Sequence, residues 1–176
     1  LPRIPVESRQ GARKLRTGSE AELGERAGLY SQRGSSLFFD RLMFPLRNLT
    51  GDVVGFAGRA MPQPDNKESS GPKYLNGKES RWFKKDELLF GLYESASTIR
   101  TLQSALVVEG QLDVISLHQA GITESVGIMG TALTEQQVAQ LSALVSTLVL
   151  ALDADAAGHK AMLRAQEVAA GRRLEI

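Results

Sequence analysis

The sequence contains no cysteine among its 176 residues. This absence excludes a disulfide framework and a zinc site built from thiolate ligands. Long apolar runs are missing as well, so the sequence predicts no membrane-spanning helix, and no secretory signal opens it. We therefore expect a cytoplasmic protein without a membrane partner.

Net charge is also nearly absent, since the formal charge at pH 7 is +1. This small total hides a local asymmetry in residues 72–85, here called the basic segment, where five basic residues and three aromatic residues accompany one acidic residue. Such a composition is typical of a surface for a nucleic-acid backbone, and an ordinary solvated face is the alternative. The hydrophobic content of 42% fits one globular domain or two small ones.

Two neighbouring aromatic residues, Trp82 and Phe83, lie within the basic segment. Aromatic rings on such a surface can stack on bases, or they can fill the core beneath a sheet. Because large aromatic side chains dominate core burial, we expect both of them in the core.

Apolar strands alternate with helical patterns in the second half of the chain. Three apolar runs predict buried strands, at 105–108, 125–129 and 147–152, and helical patterns fill 112–120 and 134–145. This alternation is typical of a parallel sheet with helices packed on it.

Shorter apolar segments precede this region. Residues 42–46 and 53–57 flank a turn that contains Gly51 and predict a pair of strands, and Pro45 indicates an edge strand or a bulge. Residues 88–93 fit either a strand or the start of a buried helix.

Acidic residues follow two of the predicted strands. Glu109 comes directly after the first strand, and Asp153 comes after the last. Because parallel strands end at one edge of their sheet, we expect both carboxylates to face one crevice, with Asp155 in the following turn and Asp113 in the first turn of a helix. Crowded carboxylates repel one another, and magnesium, which prefers oxygen ligands, relieves that repulsion. The pattern therefore predicts a magnesium-dependent phosphoryl-transfer site.

A purely structural interpretation stands beside this one. Acidic residues favour strand-to-helix turns and first helical turns in any protein. Each motif alone is weak evidence, whereas their joint occurrence at the ends of alternating strands is more specific.

Two blocks of motifs resemble a known family. Glu109-Gly-x-x-Asp113 with Asp153-x-Asp155-x-x-Gly158 resembles the Toprim domain of primases, of type IA and type II topoisomerases and of some nucleases. Four upstream segments resemble the RNA polymerase domain of bacterial DnaG-type DNA primases, at 41–45, 51–59, 72–76 and 83–93. The first 36 residues add little to this resemblance.

The resemblance implies an α/β fold with two parts. A mixed α+β N-terminal subdomain would occupy 1–103, and a Toprim subdomain with a Rossmann-like parallel sheet would occupy 104–176, incomplete at its C-terminal side. It also implies a longer parent protein with further acidic residues beyond the strand that begins at Leu174, an upstream zinc-binding module and a downstream helicase-binding domain. Zinc is therefore expected only in the parent protein.

The same resemblance implies roles for individual residues. The catalytic residues would be Glu109, Asp113, Asp153, Asp155 and Lys85. Magnesium, for which manganese would substitute, would be held by Glu109, Asp153 and Asp155. Template, primer or nucleotide phosphates would contact Arg59, Lys73, Asn76, Lys84 and Lys85. Gln111 stands where the family often has an aromatic residue, which does not affect the metal ligands.

The implied function is a metal-dependent nucleotidyltransferase, weakly active or inactive as this fragment alone. It would synthesise short RNA primers from ribonucleoside triphosphates on single-stranded DNA, at a replication fork in the nucleoid and beside the replicative helicase. The alternatives are a Toprim topoisomerase or nuclease and a non-catalytic nucleic-acid-binding module. A topoisomerase needs a tyrosine nucleophile, and none of Tyr30, Tyr74 and Tyr93 lies in a recognisable winged-helix context.

Overall fold

The computed structural model describes residues 19–31, 35–62, 71–130, 132–153, 156–170 and 174–176. The helices in these residues are α1 (Ser19–Arg26), α2 (Leu92–Leu102), α3 (Gln111–Gln119), α4 (Glu135–Ser142) and α5 (Ala156–Ala170). The strands are β1 (Arg41–Arg47), β2 (Val53–Ala60), β3 (Tyr74–Asn76), β4 (Leu89–Phe90), β5 (Ser104–Val108), β6 (Ser125–Ile128) and β7 (Thr147–Ala151). The chain forms two compact units, one from 1–45 and 55–79 and the other from 46–54 and 80–176.

A three-stranded sheet in the order β1-β2-β3 organises the first part of the chain. Strands β2 and β3 are antiparallel, with Arg59 opposite Tyr74 and Ala57 opposite Asn76. Strand β1 lies at the edge of this sheet, as Pro45 predicts, because proline has no N–H to donate to a second neighbour. The predicted strand pair is therefore confirmed.

A four-stranded sheet in the order β4-β6-β5-β7 forms the centre of the second unit. Strand β5 pairs in parallel with both β6 and β7, as the alternation of strands and helices predicts. Strand β4 is antiparallel to β6 and closes one side of the sheet. Beyond β7, Glu175 makes a parallel bridge to Thr147.

The core of the second unit lies between this sheet and its helices. Helix α2 packs on β5 and β6, α3 packs on β6, and α4 packs against α5. Helix α4 contributes Val138 and Leu141 to this core, and both side chains are fully buried. Each aliphatic side chain buried in this way contributes roughly 1.5–3 kcal/mol to folding.

A capping box and a glycine define the N-terminal ends of two helices in this unit. The Thr134 hydroxyl accepts from the N–H of Gln137 at 3.2 Å, and the Gln137 side chain accepts from the N–H of Thr134 at 3.1 Å, which makes a capping box at the start of α4. Helix α2 begins after Gly91, whose φ of +81° favours glycine. A Cβ atom at Gly91 would lie 2.9 Å from a methyl group of Val114, so the close approach of α3 also requires glycine there.

Residues 88–93, which the pattern leaves open between strand and helix, contain both structures. Strand β4 occupies two of these residues, and α2 begins directly after Gly91. Because β4 pairs with β6 and α2 packs on the same sheet, the segment from Ser80 to Gln103 lies within the second unit. The predicted boundary between 103 and 104 thus differs from the boundary between the compact units, and as a division between family domains it stays a prediction.

Among the described residues, no helix combines the length and the apolar character that crossing a lipid bilayer requires.

Candidate functional site

The ends of β5 and β7 bring two predicted site residues together. Val108, the last residue of β5, pairs with Ala151, the last residue of β7. Glu109 and Asp153 therefore follow neighbouring parallel strands at the same edge of the sheet. We call Glu109, Asp113 and Asp153 the acidic rim.

A hydrogen bond joins the two strand ends directly. The Oε1 atom of Glu109 accepts from the backbone N–H of Asp153 at 3.0 Å. Glu109 is half-buried, whereas Asp153 is exposed. The hydrogen bond occupies one oxygen of the Glu109 carboxylate and directs this carboxylate towards the turn after β7.

Asp113 lies in the first turn of α3, as its spacing from Glu109 predicts. Its Oδ2 atom accepts from the backbone N–H of Gly110 at 3.0 Å and so caps the helix. A Cβ atom at Gly110 would lie 2.7 Å from this oxygen, so glycine leaves the room that the carboxylate needs. The Glu-Gly-x-x-Asp spacing therefore has a structural reason: Asp113 fixes the turn that carries Glu109.

Asp155, the third predicted metal ligand, lies outside the described residues. Within the residues that the structure does describe, no group of three or more histidine, aspartate or glutamate side chains is arranged to hold a metal ion. The assignment of Glu109, Asp153 and Asp155 to magnesium therefore stays a prediction.

Three of the predicted nucleic-acid contacts lie on or beside β2 and β3 in the first unit. Arg59 and Asn76 lie on neighbouring strands, and Lys73 directly precedes β3, where its carbonyl oxygen accepts from the N–H of Ala60 at 2.8 Å. Lys73 is exposed, whereas Arg59 and Asn76 are half-buried. The guanidinium of Arg59 lies 5.8 Å from the centroid of the Tyr74 ring, within the range of a cation–π interaction.

The other two predicted contacts, Lys84 and Lys85, are exposed residues of the second unit. The Nζ atom of Lys84 lies 2.7 Å from Oε1 of Glu87, so its charge already has an acidic neighbour. The carbonyl oxygen of Lys85 accepts from the side-chain amide of Gln137 at 3.3 Å.

Gln137 anchors the end of the basic segment, and the sequence analysis did not identify this role. Its amide is fully buried and also donates to the carbonyl oxygen of Leu88 at 2.8 Å. It thereby ties the chain after Lys84 to the start of α4. The capping-box motif predicts the contact of Gln137 with its own helix but carries no information on these long-range partners.

The expectation that both aromatic residues of the basic segment are buried is wrong for Trp82. Phe83 is 1% exposed, whereas Trp82 is 68% exposed. Residues 81 and 82 form a bend that is anchored on the Ser80 hydroxyl, and this bend buries the Phe83 ring and leaves the indole outside. The bend depends on the hydrogen bonds of Ser80, which residue type alone does not indicate.

His118 of α3 connects three elements of the second unit. Its Nε2 atom lies 3.1 Å from the carbonyl oxygen of Ser125 and 3.2 Å from the hydroxyl of Ser95. These contacts hold α3 against β6 and α2, so His118 has a structural role.

Family comparisons match the two halves of the chain separately. Residues 7–96 match the family described as DNA primase catalytic core, N-terminal domain. Residues 106–176 match the family described as Toprim-like.

Individual proteins with similar sequence or structure carry related names. A DNA primase of Synechococcus elongatus is 45% identical over 152 residues, which are 82% of this chain and 21% of that protein. The zinc-binding and RNA polymerase domains of the Aquifex aeolicus primase superpose with a TM-score of 0.76 at 34% identity, over 89% of this chain and 41% of that one. A DnaG primase catalytic domain bound to single-stranded DNA gives a TM-score of 0.76 at 33% identity, over 87% and 47% of the two chains. The chain thus spans about a fifth of the S. elongatus relative.

Proposed function

The chain belongs to the family of DNA primase catalytic cores, and from this membership we propose that it forms part of an enzyme that synthesises short RNA primers on single-stranded DNA. The reaction is a metal-dependent nucleotidyl transfer from ribonucleoside triphosphates to a 3′-hydroxyl. The match of 7–96 to a primase model favours this function over the other activities found with Toprim domains.

The observation that supports the proposal most is the hydrogen bond between Glu109 and Asp153 at the ends of two parallel strands. It places two acidic residues side by side, although 44 positions separate them in the sequence. The carboxyl edge of an open α/β sheet is where ligands bind in this class of fold.

The chemistry of these residues fits a magnesium ion. Carboxylate oxygens are its preferred protein ligands, and the second oxygen of Glu109 is not engaged by the hydrogen bond to Asp153. We assign Glu109, Asp153 and Asp155 to the metal. Magnesium bound there would lower the pKa of the attacking 3′-hydroxyl and stabilise negative charge on the pyrophosphate that leaves.

The chain's own residues have separate roles in the reaction and in DNA binding. Glu109 would hold the metal near the attacking hydroxyl, and Asp113 keeps its turn in place through Gly110. Lys85 contributes positive charge to the nucleotide phosphates. Arg59, Lys73, Asn76 and Lys84 contact the phosphate backbone, which gives binding that depends on salt and little on sequence.

We extend the proposal to the whole protein of which this chain spans a part. Its template is single-stranded DNA, the nucleic acid bound by the similar DnaG primase catalytic domain. Its substrates are ribonucleoside triphosphates, and its partner is the replicative helicase at a replication fork in the nucleoid. Manganese would substitute for magnesium at Glu109, Asp153 and Asp155, and zinc would belong to another part of the whole protein.

Primer synthesis by a full-length protein that contains this segment tests the proposal. With ribonucleotides, magnesium and a single-stranded template, we expect short RNA products. The same protein incubated with supercoiled DNA should produce no nicked circles. Nicking without RNA synthesis would show instead that the acidic rim belongs to a nuclease or a topoisomerase.

A further inference from the structure

Trp82 is held out into solvent by a firmly anchored turn. The hydroxyl of Ser80 accepts from the N–H of Trp82 at 3.1 Å and from the N–H of Phe83 at 3.2 Å. Phe83 is buried and fixes the turn from beneath. The exposure of the indole is therefore built into the local structure.

A positive charge lies against this exposed ring. The guanidinium of Arg81 is 4.5 Å from the centroid of the Trp82 ring, in a cation–π interaction. The guanidinium lies over the indole, so an aromatic ring and a positive charge are presented together at the surface. Single-stranded nucleic acids bind surfaces of this kind by stacking bases and pairing phosphates.

A cavity of about 300 Å³ opens beside the indole, within the second unit. Its apolar floor is formed by Leu88, Leu89 and Leu92, which are all buried. Asn48 and Gln140 are among its polar lining residues. An apolar floor with a few polar groups suits a flat heteroaromatic ligand such as a nucleobase.

The register of the sheet places this cavity at the same edge as the acidic rim. Leu89 of β4 lies opposite Ile128 of β6, and the next pair along the sheet joins Gly127 to Val108. Leu89 is thus level with Glu109, which follows Val108, and two strand spacings separate them, about 10 Å. A base in the cavity would lie within a few nucleotides of a phosphate at the acidic rim.

We propose that Trp82 and the adjoining cavity bind an unpaired base of the single-stranded template, by stacking on the indole, close to the reacting end of the primer. This inference rests on the proposed function and adds a base-binding position to its phosphate contacts. An exposed tryptophan beside an arginine is also typical of protein interfaces. The exposed cations at Arg81 and Lys85 favour a polyanion as the occupant.

Trp82 is the only tryptophan of the chain, so its fluorescence reports on this position alone. Addition of a short oligothymidylate should quench it, whereas an abasic strand of the same length should bind weakly without quenching. In W82A, we expect affinity for the oligothymidylate to fall roughly 5- to 150-fold, the range measured for the loss of one stacked base. W82F, which keeps an aromatic ring, should retain most of the affinity.

Affinity for the abasic strand should not differ between W82A and the wild-type chain. Because the indole is exposed, W82A should also keep the wild-type melting temperature. If W82A does not fold, the affinity of W82F and the fluorescence quenching of the wild-type chain test the inference instead. Binding of oligothymidylate with neither quenching nor loss in W82A would overturn this inference, leave the proposed function standing and indicate a protein-docking surface. If W82A loses affinity for the oligothymidylate and for the abasic strand by the same factor, base stacking on Trp82 is excluded as well. Failure of the wild-type chain to bind either strand would contradict the inference and the DNA contacts of the proposed function together.

Discussion

The acidic rim and the cationic residues Arg59 and Lys73 place charge by different means. At the rim, parallel pairing brings the strand ends together, and hydrogen bonds at 3.0 Å fix the Glu109 and Asp113 carboxylates against the backbone N–H groups of Asp153 and Gly110. Lys73, which precedes β3, is exposed, and Arg59 of β2 is held by a contact with the Tyr74 ring. Chemistry on a phosphate needs geometry fixed to a fraction of an ångström, whereas guidance of a polyanion needs mainly charge. The difference predicts that substitutions in the two regions will affect different measurements.

Replacing both aspartates after β7 should have the largest effect. In a full-length protein, D153N/D155N should lower metal-dependent primer synthesis by about 10³-fold, because the loss of metal ligands removes several kcal/mol of transition-state stabilisation. DNA affinity, measured by fluorescence anisotropy, should change little. Synthesis at the wild-type rate would show that these residues do not hold the catalytic metal.

Removal of the positive charge of Lys73 should weaken DNA binding rather than catalysis. K73Q should weaken DNA binding several-fold and reduce the slope of log affinity against log salt by about 1, because one phosphate contact is lost. K78Q is a matched control, since Lys78 is exposed in the same basic segment and is not a predicted contact. Equal slopes for K73Q and the wild-type chain would exclude Lys73 from the DNA interface.

Most of the fold of the second unit was predictable from the sequence, because strands β5, β6 and β7 and the helices between them have strong local signals. Continuous apolar runs are typical of strands covered on both faces, and the capping residues of α3 and α4 lie at fixed spacings. The neighbourhood of Glu109 and Asp153 follows from those signals alone, since parallel strands end at one edge.

Other features of the second unit have no local signal in the sequence. Strand β4 is only two residues long, and its antiparallel pairing depends on the position of β6, 35 or more residues later. The long-range hydrogen bonds of Gln137 and the cavity beside Trp82 depend on tertiary packing. Burial inferred from residue type alone predicts Trp82 in the core, because it takes no account of the bend that Ser80 anchors.

Asp113 separates the structural and the chemical roles of the acidic rim. D113A should lower the stability of the chain by about 1 kcal/mol, because it removes the cap on Gly110. D113N keeps an oxygen that can accept from Gly110 and should restore most of that stability in thermal unfolding. If D113A and D113N are equally destabilised, the charge of Asp113 rather than its hydrogen bond stabilises the turn.

The smallest expected effect concerns acid stability in the turn between β1 and β2. The pKa of Asp52 is held below its ordinary value of 3.8 by two side-chain hydrogen bonds. The larger effect comes from Thr50 and the smaller one from Asn48. The folded chain therefore binds the proton less tightly than the unfolded chain, so this contribution to stability is complete above the ordinary pKa and is lost as the pH falls through the lowered one. The difference in melting temperature between the wild-type chain and D52N should be constant above about pH 5 and shrink in acid. A difference that grows on acidification would contradict this.

The central claim is that carboxylates at the ends of β5 and β7 share a divalent ion. Crystals of the chain soaked in manganese, with data collected at the manganese absorption edge, test it most directly, and E109Q is the matched control because its amide oxygen can still accept from the N–H of Asp153. We predict an anomalous peak within coordination distance of the Glu109 and Asp153 carboxylates in the wild-type chain, weakened or absent in E109Q. A manganese ion bound elsewhere, or no ion at the acidic rim at saturating manganese, would contradict the claim.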